Sequence, residues 1–570
     1  MMRIHTIAFL LAISQTLMAS NYLFNNGKSD YSIILTNDAS ESEKTAANEL
    51  QQYLRQIGHV TLPIVTQAKG HRTKCVYIGW TKQTGMPKPS DVDEAYTYMT
   101  IGEDLHIFGG KARGTMYGVF SFLEHELGVH WYTSSCTKVP EMKQYQLNDM
   151  EHSEKPAIRQ RLDFYYDALK HQDWCAHNLL NTQHKKSESP YGAMSAYWGI
   201  HTFHTLIPPS VYFKSHPEYF SLNKGKRSAN AQLCLTNTDM RRELVKNLKN
   251  VIRKNPGYWC YDVSQNDNRQ PCECTKCQRL VKKYGGQSGL IIWFVNQVAK
   301  DIENDFPDIF IGTFAYRYTR QAPQGIKPRK NVVVRLCDIE CCMAHALTEC
   351  PQNKSFLDDM NKWKNIAPHI YIWDYTTGFL NYLLPFSNFH VLAKNYQLFQ
   401  KSNVIGVLEE GAHDAPWGEF SELKQWLIAK LLWNPCLNVD SLATLFICDY
   451  YGKAAPYVNQ YYQLCNRQVT ADTHFTIKIG WENNLYSNTF ISYGLEILLK
   501  GINASEDENI KKRCRRLAAQ LYYLQLRRNN LKSVIDDTKR YFIEILQHDS
   551  TIIKEHGYTL EDMLKDLEYH

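Results

Sequence analysis

Short apolar runs alternate with amphipathic stretches through the middle of the chain, from about residue 156 to residue 410. Most of the spans between the runs are long enough to hold a helix, for example residues 289–302 and 358–366. Strands that alternate with helices predict a parallel α/β fold, and eight such units predict a TIM (β/α)8 barrel. The eight predicted strands are residues 158–165, 175–181, 232–236, 258–265, 310–316, 332–338, 370–374 and 404–409.

The pattern before the barrel predicts a small α/β domain. A strand at 31–36 and a helix at 41–57 are followed by a strand at 76–79, a hairpin over 96–109 and a helix at 115–127. Beyond about residue 449, apolar residues at three- and four-residue spacing predict helices that support packing. We therefore divide the chain into a leader (1–20), an N-terminal α/β domain (21–150), a catalytic barrel (151–450) and a helical C-terminal region (451–570).

The first twenty residues predict a secretory signal peptide. Arg3 and His5 precede an apolar stretch at residues 7–17, and the small residues Ala19 and Ser20 follow it. The apolar stretch is too short to span a membrane, and we find no other candidate span. We expect an exported protein, either periplasmic, at the cell surface or secreted.

Composition narrows the function classes. The 570 residues are 44% hydrophobic and carry a formal net charge of +6, with lysine and arginine scattered along the chain. Without a basic run, we expect no nucleic-acid partner. Aromatic residues make up 12% of the chain, which suits either flat sugar-binding surfaces or aromatic cores. No sequence motif calls for a cofactor.

Polar residues follow the apolar part of several predicted strands, and such residues line the active site of a parallel barrel. After the fourth strand come Asn266 and Asp267. Glycoside hydrolysis needs a proton donor and a group that stabilises an oxocarbenium-like transition state, and in some hydrolases an acetamide of the substrate takes the second part. Asp267 is the candidate acid and Asn266 the candidate acetamide polariser; an Asx-rich turn is the alternative.

Other residues compete for roles at the same site. Glu188, in the loop after the second predicted strand, and Glu409, at the end of the eighth, are alternative acids. Each could instead be solvated or structural. Aromatic rings at strand ends could stack on sugars, and arginines could bind hydroxyl or carboxylate groups. The candidate substrate-binding residues are His201, Arg317, Arg335, Asp338, Trp373, Asp374 and Tyr375.

Sixteen cysteines are distributed unevenly along the chain. Cys272, Cys274 and Cys277 form a C-x-C-x-x-C motif, and a second group lies at residues 337–350. Three close thiols could share a structural zinc ion with a fourth ligand, although the two C-x-x-C pairs of an all-cysteine site are absent. A disulfide-stapled loop and free thiols are the alternatives. We expect no catalytic metal.

Two sets of motifs resemble known families. Residues 109–132, GGKARGTMYGVFSFLEHELGVHWY, resemble the N-terminal domain of hexosaminidases and α-glucuronidases. HPEYFSL at 216–222, QLCLT at 232–236, VSQNDN at 263–268, WDY at 373–375 and KLLWNP at 430–435 resemble a bacterial family catalogued as a domain of unknown function, DUF4838. Part of that family is placed in glycoside hydrolase family 163.

The resemblance implies a glycan-degrading enzyme. Its members typically come from glycan-utilisation systems of gut Bacteroidetes, and the described activity is an endo-β-N-acetylglucosaminidase that cleaves the chitobiose core of complex N-glycans. We expect a retaining, substrate-assisted reaction, which would suit Asn266 beside Asp267. Substrate-assisted families usually use a glutamate as acid, so Glu188 and Glu409 stay candidates. The alternatives are an α-glucuronidase-like or other exo-glycosidase and a non-catalytic glycan-binding protein.

Overall fold

The computed structural model describes residues 21–66, 74–183, 189–192, 195–528, 532–546, 549 and 551–568. The chain forms two compact units. One unit contains the chain up to Val129 together with Val139–Glu154. The other contains His130–Lys138 and the chain from Lys155 onward. The predicted leader lies outside the described residues.

The N-terminal unit is built on a six-stranded mixed sheet with two helices, Glu41–Gly58 and Gly114–His125. Ser40 caps the first helix: its hydroxyl accepts a hydrogen bond from the Glu43 backbone N–H, and the Glu43 carboxylate accepts one from the Ser40 backbone N–H. The predicted strands, helices and hairpin are confirmed. In spatial order, the strands are Glu151–Glu154, Tyr96–Ile101, Asp104–Gly109, Cys75–Ile78, Ser32–Leu35 and Ile64–Thr66, beside a separate antiparallel pair, Tyr22–Asn25 and Gln144–Gln146.

The second unit contains the predicted barrel. Its eight strands are all parallel, and the first pairs with the eighth, so the barrel is nearly closed. This pairing confirms the predicted TIM-barrel fold. In chain order, the barrel strands are Gln160–Phe164, Thr182–Gln183, Ser195–Trp198, Cys260–Asp262, Phe310–Ala315, Val332–Cys337, Ile370–Tyr375 and Val404–Glu410.

Two of the eight predicted strands were wrong. The stretch predicted at 175–181 begins in the helix Gln172–His177, and the second strand follows it at Thr182–Gln183. The stretch predicted at 232–236 is not a strand, and the third strand is Ser195–Trp198 instead. Both stretches are largely apolar and buried in the structure. A short apolar run alone does not distinguish a strand from a short helix or a packed loop.

Large side chains fill the barrel interior. The Arg335 guanidinium group lies 3.6 Å from the ring centre of Tyr197 and 4.8 Å from that of Tyr371. The Tyr197 hydroxyl donates to the Asp262 carboxylate over 3.1 Å. Gly312, on the fifth strand, leaves the space that Tyr197 occupies. The interior is therefore packed, and ligands have access only at an end.

Helices surround the barrel and continue after it. The longer barrel helices are Thr238–Lys254, Thr275–Lys283, Gln287–Glu303, Lys354–Ile366, Phe389–Lys401 and Ser421–Trp433. The shorter ones are Tyr166–Lys170, Gln172–His177, Phe203–Leu206 and Pro209–Tyr212. The C-terminal helices are Val439–Tyr451, Ala455–Arg467, Asn488–Asn503, Glu508–Arg528, Lys532–Leu546 and Leu560–Glu568.

Three short hairpins complete this unit: His130–Thr133 with Cys136–Lys138, Leu222–Asn223 with Lys226–Arg227, and Ile552–Lys554 with Tyr558–Thr559. Across the described part of the chain, no helix combines the length and the apolar character that a membrane span needs.

The barrel interior predicts the effect of a single added methyl group. A Cβ atom at Gly312 would lie 1.5 Å from the Tyr197 hydroxyl oxygen, so we expect Gly312→Ala to lower the free energy of unfolding by about 1–3 kcal/mol or more. The adjacent Thr313 has a buried hydroxyl without a hydrogen-bond partner, and Thr313→Val should be neutral or stabilising. Urea unfolding of the two variants tests this. Equal stability of the two variants would contradict the packing described.

Candidate active site

A cavity of about 560 Å³ lies at the C-terminal ends of the barrel strands. Active sites of parallel barrels form at this end because the loops that follow all eight strands meet there. The lining side chains come from strand ends and from loops. Those contributed by the barrel strands or by the loops that follow them are Phe164, Ile200, His201, Asp267, Phe314, Tyr316, Arg317, Cys337, Ile339, Trp373, Tyr375, Phe379, Leu380, Glu410 and His413.

Glu410 brings a partly buried carboxyl group to this cavity. It pairs in register with Phe164 on one neighbouring strand and with Tyr375 on the other, and all three line the cavity. Its Oε2 accepts a hydrogen bond of 2.7 Å from Trp373 Nε1. Burial raises the pKa of Glu410 to about 8, with the Trp373 hydrogen bond opposing the rise and Glu555 adding to it. A carboxyl group with this pKa is mostly protonated at neutral pH.

Asp267, in the loop after the fourth barrel strand, brings a second acidic side chain to the cavity. Its Oδ1 accepts a hydrogen bond of 3.2 Å from the Tyr316 hydroxyl and lies 3.1 Å from Arg317 Nη1. Half of its side chain, 51%, is exposed to solvent. The Arg317 guanidinium group in turn lies 4.8 Å from the centre of the Tyr316 ring. The ion pair and the hydroxyl leave one carboxylate oxygen free of these contacts and accessible from the cavity.

His201 is held against the same cavity by its backbone and its ring. Its φ of 54° is left-handed, and its Nδ1 lies 2.7 Å from the Gln265 carbonyl oxygen. The ring packs 4.9 Å from Phe314, and burial lowers the pKa of His201. A neutral ring that donates from Nδ1 has Nε2 as a hydrogen-bond acceptor. Such an acceptor suits a sugar hydroxyl.

Aromatic rings form much of the remaining wall. Trp373 and Tyr375 are both on the seventh strand and both line the cavity, with ring centres 6.4 Å apart and planes inclined by 22°. Phe314 packs edge-on against Trp373 at 5.7 Å. Flat apolar faces beside hydrogen-bonding groups are suited to pyranose rings, whose two faces carry axial C–H groups.

Four of the predicted site residues do not line the cavity. Glu409, Asp374 and Asp338 lie on the other face of the sheet, and Arg335 lies inside the barrel. Glu409 is in register with Asp374, and both are buried outside the cavity. Asp338 is also buried there, and the charges of Asp374 and Glu409 add to the burial that raises its pKa. Arg335 lies in the barrel interior described above. Neighbouring residues of a strand face opposite sides, so Glu410 enters the cavity and Glu409 does not.

Asn266 also lies outside the cavity lining. It is buried, and its Oδ1 accepts a hydrogen bond of 3.2 Å from the His204 backbone N–H. Its own backbone N–H donates to Gln232 Oε1 over 2.9 Å. Asn266 therefore fixes the loop that carries Asp267. Glu188 falls outside the described residues, so its predicted role remains a prediction.

Residues from the C-terminal region line the cavity as well, which no sequence pattern indicated. They belong to two loops that lie far from the barrel strands in sequence. The first loop contributes Ile477 and Lys478, and the second, in the hairpin Ile552–Lys554 with Tyr558–Thr559, contributes Lys554, Glu555 and His556. The region predicted only to support packing therefore also forms part of the wall.

Among the described residues, three groups of side chains outside the cavity lining could hold a metal ion: two contain four cysteine or histidine residues each, and the third contains His125, His152 and Glu154. Cys234 joins Cys272, Cys274 and Cys277, so the structure supplies the fourth ligand that the sequence left open. Cys342, His345, Cys350 and His474 form the second group. Sequence reasoning missed the second group because its fourth member lies more than 120 residues further along the chain.

The fold is similar to solved glycoside hydrolase structures. A 4-O-methyl-α-glucuronidase of family GH115 with specificity for decorated arabinogalactans is 11% identical, with a TM-score of 0.56 over 91% of this chain and 76% of that chain. A GH138 enzyme targeting pectin rhamnogalacturonan II and a chitobiase of Flavobacterium johnsoniae are each 11% identical with a TM-score of 0.43. They cover 94% and 95% of this chain and 78% and 96% of their own. At this identity, the first likeness shows the fold alone.

No curated protein matches the sequence. A family described as "Domain of unknown function (DUF4838)" matches residues 131–463, which confirms the resemblance to that family; the narrower placement in glycoside hydrolase family 163 stays a prediction. Because the match spans more than half of the 570 residues and covers all eight barrel strands, the chain belongs to the DUF4838 family.

Proposed function

We propose that this protein is a glycoside hydrolase whose general acid is Glu410. The observation that carries the proposal is a carboxyl group that lines the cavity at the mouth of the barrel, accepts a hydrogen bond from Trp373 and has its pKa raised to about 8 by burial. Cleavage of a glycosidic bond needs such a donor for the leaving oxygen. The fold shared with a GH115 glucuronidase agrees with this reaction class.

Asp267 and Tyr316 suit a substrate that carries an acetamide group. In a substrate-assisted reaction, the acetamide carbonyl oxygen attacks the anomeric carbon while the amide N–H needs an acceptor. The Asp267 carboxylate offers that acceptor, and the Tyr316 hydroxyl, 3.2 Å away, can donate to the carbonyl oxygen once the substrate displaces its present bond. Arg317 holds the carboxylate in place. This assignment moves the role of polariser from Asn266 to Asp267 and that of acid from Asp267 to Glu410.

For the substrate, we propose the chitobiose core of complex N-glycans, cleaved by an endo-acting enzyme. The resemblance to glycoside hydrolase family 163 supports this specificity. The cavity of about 560 Å³ agrees with it, because cavities of roughly 300–1,000 Å³ hold ligands of about disaccharide size. Trp373 and Tyr375 line the cavity with aromatic side chains that a sugar can contact.

An α-glucuronidase-like enzyme is the second candidate, and one observation weighs against it. A uronate needs a free cation, and Arg335 is buried among aromatic rings while Arg317 is paired with Asp267. Lys478 and Lys554 would have to bind the carboxylate instead. A glycan-binding protein without activity is the third candidate. It gives no account of a protonated acid at the barrel mouth.

Digestion of a complex-type N-glycoprotein, read by mass spectrometry, tests the proposed function. We expect the wild type to leave one N-acetylglucosamine on each asparagine. Glu410→Gln should lower kcat/KM by about 10²–10⁴-fold, because the amide cannot donate the proton that the leaving oxygen needs. Asp267→Asn should also reduce activity strongly.

Glu409→Gln is the matched control, since it makes the same change one residue away on the side of the sheet that does not face the cavity. It should keep far more activity than Glu410→Gln, because its side chain does not line the cavity. Loss of activity in Glu409→Gln with retention in Glu410→Gln would contradict the assignment of the acid. If the wild type releases uronic acid from aryl uronides and leaves glycoproteins intact, the exo-glycosidase candidate replaces the proposal.

The pH profile of kcat/KM should fall as pH rises through about 8, because Glu410 must be protonated to act. Two substitutions should move this alkaline limb of the pH profile in opposite directions. Trp373→Phe removes the hydrogen bond that lowers the pKa of Glu410, and the limb should move to higher pH. Glu555→Gln removes a negative charge that raises the pKa, and the limb should move to lower pH. A limb that neither substitution moves would show that another group titrates.

A further inference from the structure

Four cysteine side chains converge beside the loop that carries Asp267. Cys234 lies between the hairpin at 222–227 and the helix Thr238–Lys254, whereas Cys272, Cys274 and Cys277 flank the start of the helix Thr275–Lys283. The Sγ atom of Cys234 lies 3.7 Å from that of Cys274 and 4.0 Å from that of Cys277. All four sulfur atoms lie within 4.8 Å of one another.

These distances match a tetrahedral metal site. Four sulfur atoms at about 2.3 Å from a zinc ion are separated from one another by roughly 3.8 Å. A disulfide would need a sulfur–sulfur distance of about 2.05 Å, about half of what is observed. Three of the four cysteines, Cys234, Cys272 and Cys277, are buried, so their sulfur atoms are shielded from water. We propose that Cys234, Cys272, Cys274 and Cys277 bind one structural zinc ion.

Two further contacts support metal-bound thiolates. The Leu222 backbone N–H lies 3.4 Å from Cys272 Sγ, and the Thr236 hydroxyl lies 3.2 Å from Cys277 Sγ. Both are donors that can stabilise the negative charge of a coordinated sulfur. The coordination is closed because four protein ligands leave no position for water, as in structural rather than catalytic zinc sites.

The zinc ion would join the segment around Cys234 to the segment that contains Cys272, Cys274 and Cys277, and both segments position the candidate active site. Gln232, two residues before Cys234, holds the Asn266 backbone N–H at 2.9 Å and the Asn266 carbonyl oxygen at 2.7 Å. Cys272 lies five residues after Asp267. The metal therefore closes the base of the loop that presents Asp267. Zinc binding itself does not depend on the proposed glycosidase activity.

A second, independent set of distances supports another zinc ion. His474 Nδ1 lies 3.3 Å from Cys342 Sγ and 3.7 Å from Cys350 Sγ, and His345 Nδ1 lies 3.9 Å from Cys342 Sγ. Sulfur and nitrogen ligands of one zinc ion are roughly 3.5 Å apart. The other ring nitrogen of His345, Nε2, lies 3.0 Å from the Thr470 carbonyl oxygen. Such a contact orients a metal-bound imidazole. We infer a Cys₂His₂ zinc site here.

This second site would fix part of the cavity wall. His474 lies three residues before Ile477, which lines the cavity, and the adjacent Phe475 carbonyl oxygen accepts a hydrogen bond of 2.8 Å from the Met343 backbone N–H. Ile339, on the other joined segment, also lines the cavity. The metal would thus tie the loop after the sixth strand to the C-terminal region without contributing to chemistry.

Elemental analysis of the full-length protein tests both sites. Purified under reducing conditions without chelator, the wild type should contain two zinc ions per chain. Cys277→Ser and His474→Ala should each contain one, and the double variant none. Cys436→Ser changes an exposed cysteine outside both groups and should keep both ions. Iron in place of zinc, or less than half an equivalent of any metal in the wild type, would overturn the proposal.

Two measurements on the wild type keep the test decisive even where variants fail to fold. In a separate preparation purified without reductant, the denatured chain should show all 16 cysteines as thiols, whereas disulfides would reduce that number by at least two. Alkylation mapped by mass spectrometry should modify the six ligand cysteines only after a strong chelator has removed the metal. Exposed Cys436 should react before and after, and buried Cys514 in neither case. Ligand cysteines that react equally with and without chelator would contradict metal binding.

Discussion

The candidate site depends on the pairing register of the eighth barrel strand with its two neighbours. Glu410 lies between Phe164 and Tyr375 in that register, and Glu409 lies between Asp163 and Asp374. A shift of one residue would exchange the two glutamates, because successive side chains of a strand face opposite sides. The row of Phe164, Glu410 and Tyr375 thus lines the cavity with an acid and two aromatic rings. The row of Asp163, Glu409 and Asp374 is buried outside the cavity. The proposed chemistry requires this register and no other.

The two acidic groups of the cavity differ in environment, which assigns them different roles. Glu410 is enclosed by aromatic side chains with one hydrogen bond from Trp373, and burial raises its pKa to about 8. Asp267 is half exposed and paired with Arg317. A carboxyl group with a raised pKa beside a solvated, ion-paired carboxylate is a typical division between a proton donor and a group that orients or stabilises positive charge. The structure thus distinguishes the two residues by environment, although both are carboxylic acids.

Sequence patterns predicted the fold well and the site in part. Six of the eight barrel strands were placed correctly, because long apolar runs ending in polar residues identify buried parallel strands. The strand Thr182–Gln183 is polar, and Ser195–Trp198 begins with a serine and is followed by a glycine, so neither lies in a long apolar run. Asp267, His201, Trp373 and Tyr375 were predicted and line the cavity. The choice between Glu409 and Glu410 depended on register, which a single sequence does not determine, and the contributions of Cys234 and His474 depended on contacts between distant segments.

The anomeric configuration of the product at the moment of cleavage tests the central claim most directly. If Glu410 donates the proton and an acetamide oriented by Asp267 and Tyr316 attacks the anomeric carbon, two inversions at that carbon give net retention. Proton NMR of a chitobiose-containing glycan, recorded during hydrolysis, should then show the β-anomer of the released reducing end first, followed by slow mutarotation. Initial release of the α-anomer would mean that water attacks directly, and the substrate-assisted account of this cavity would be wrong.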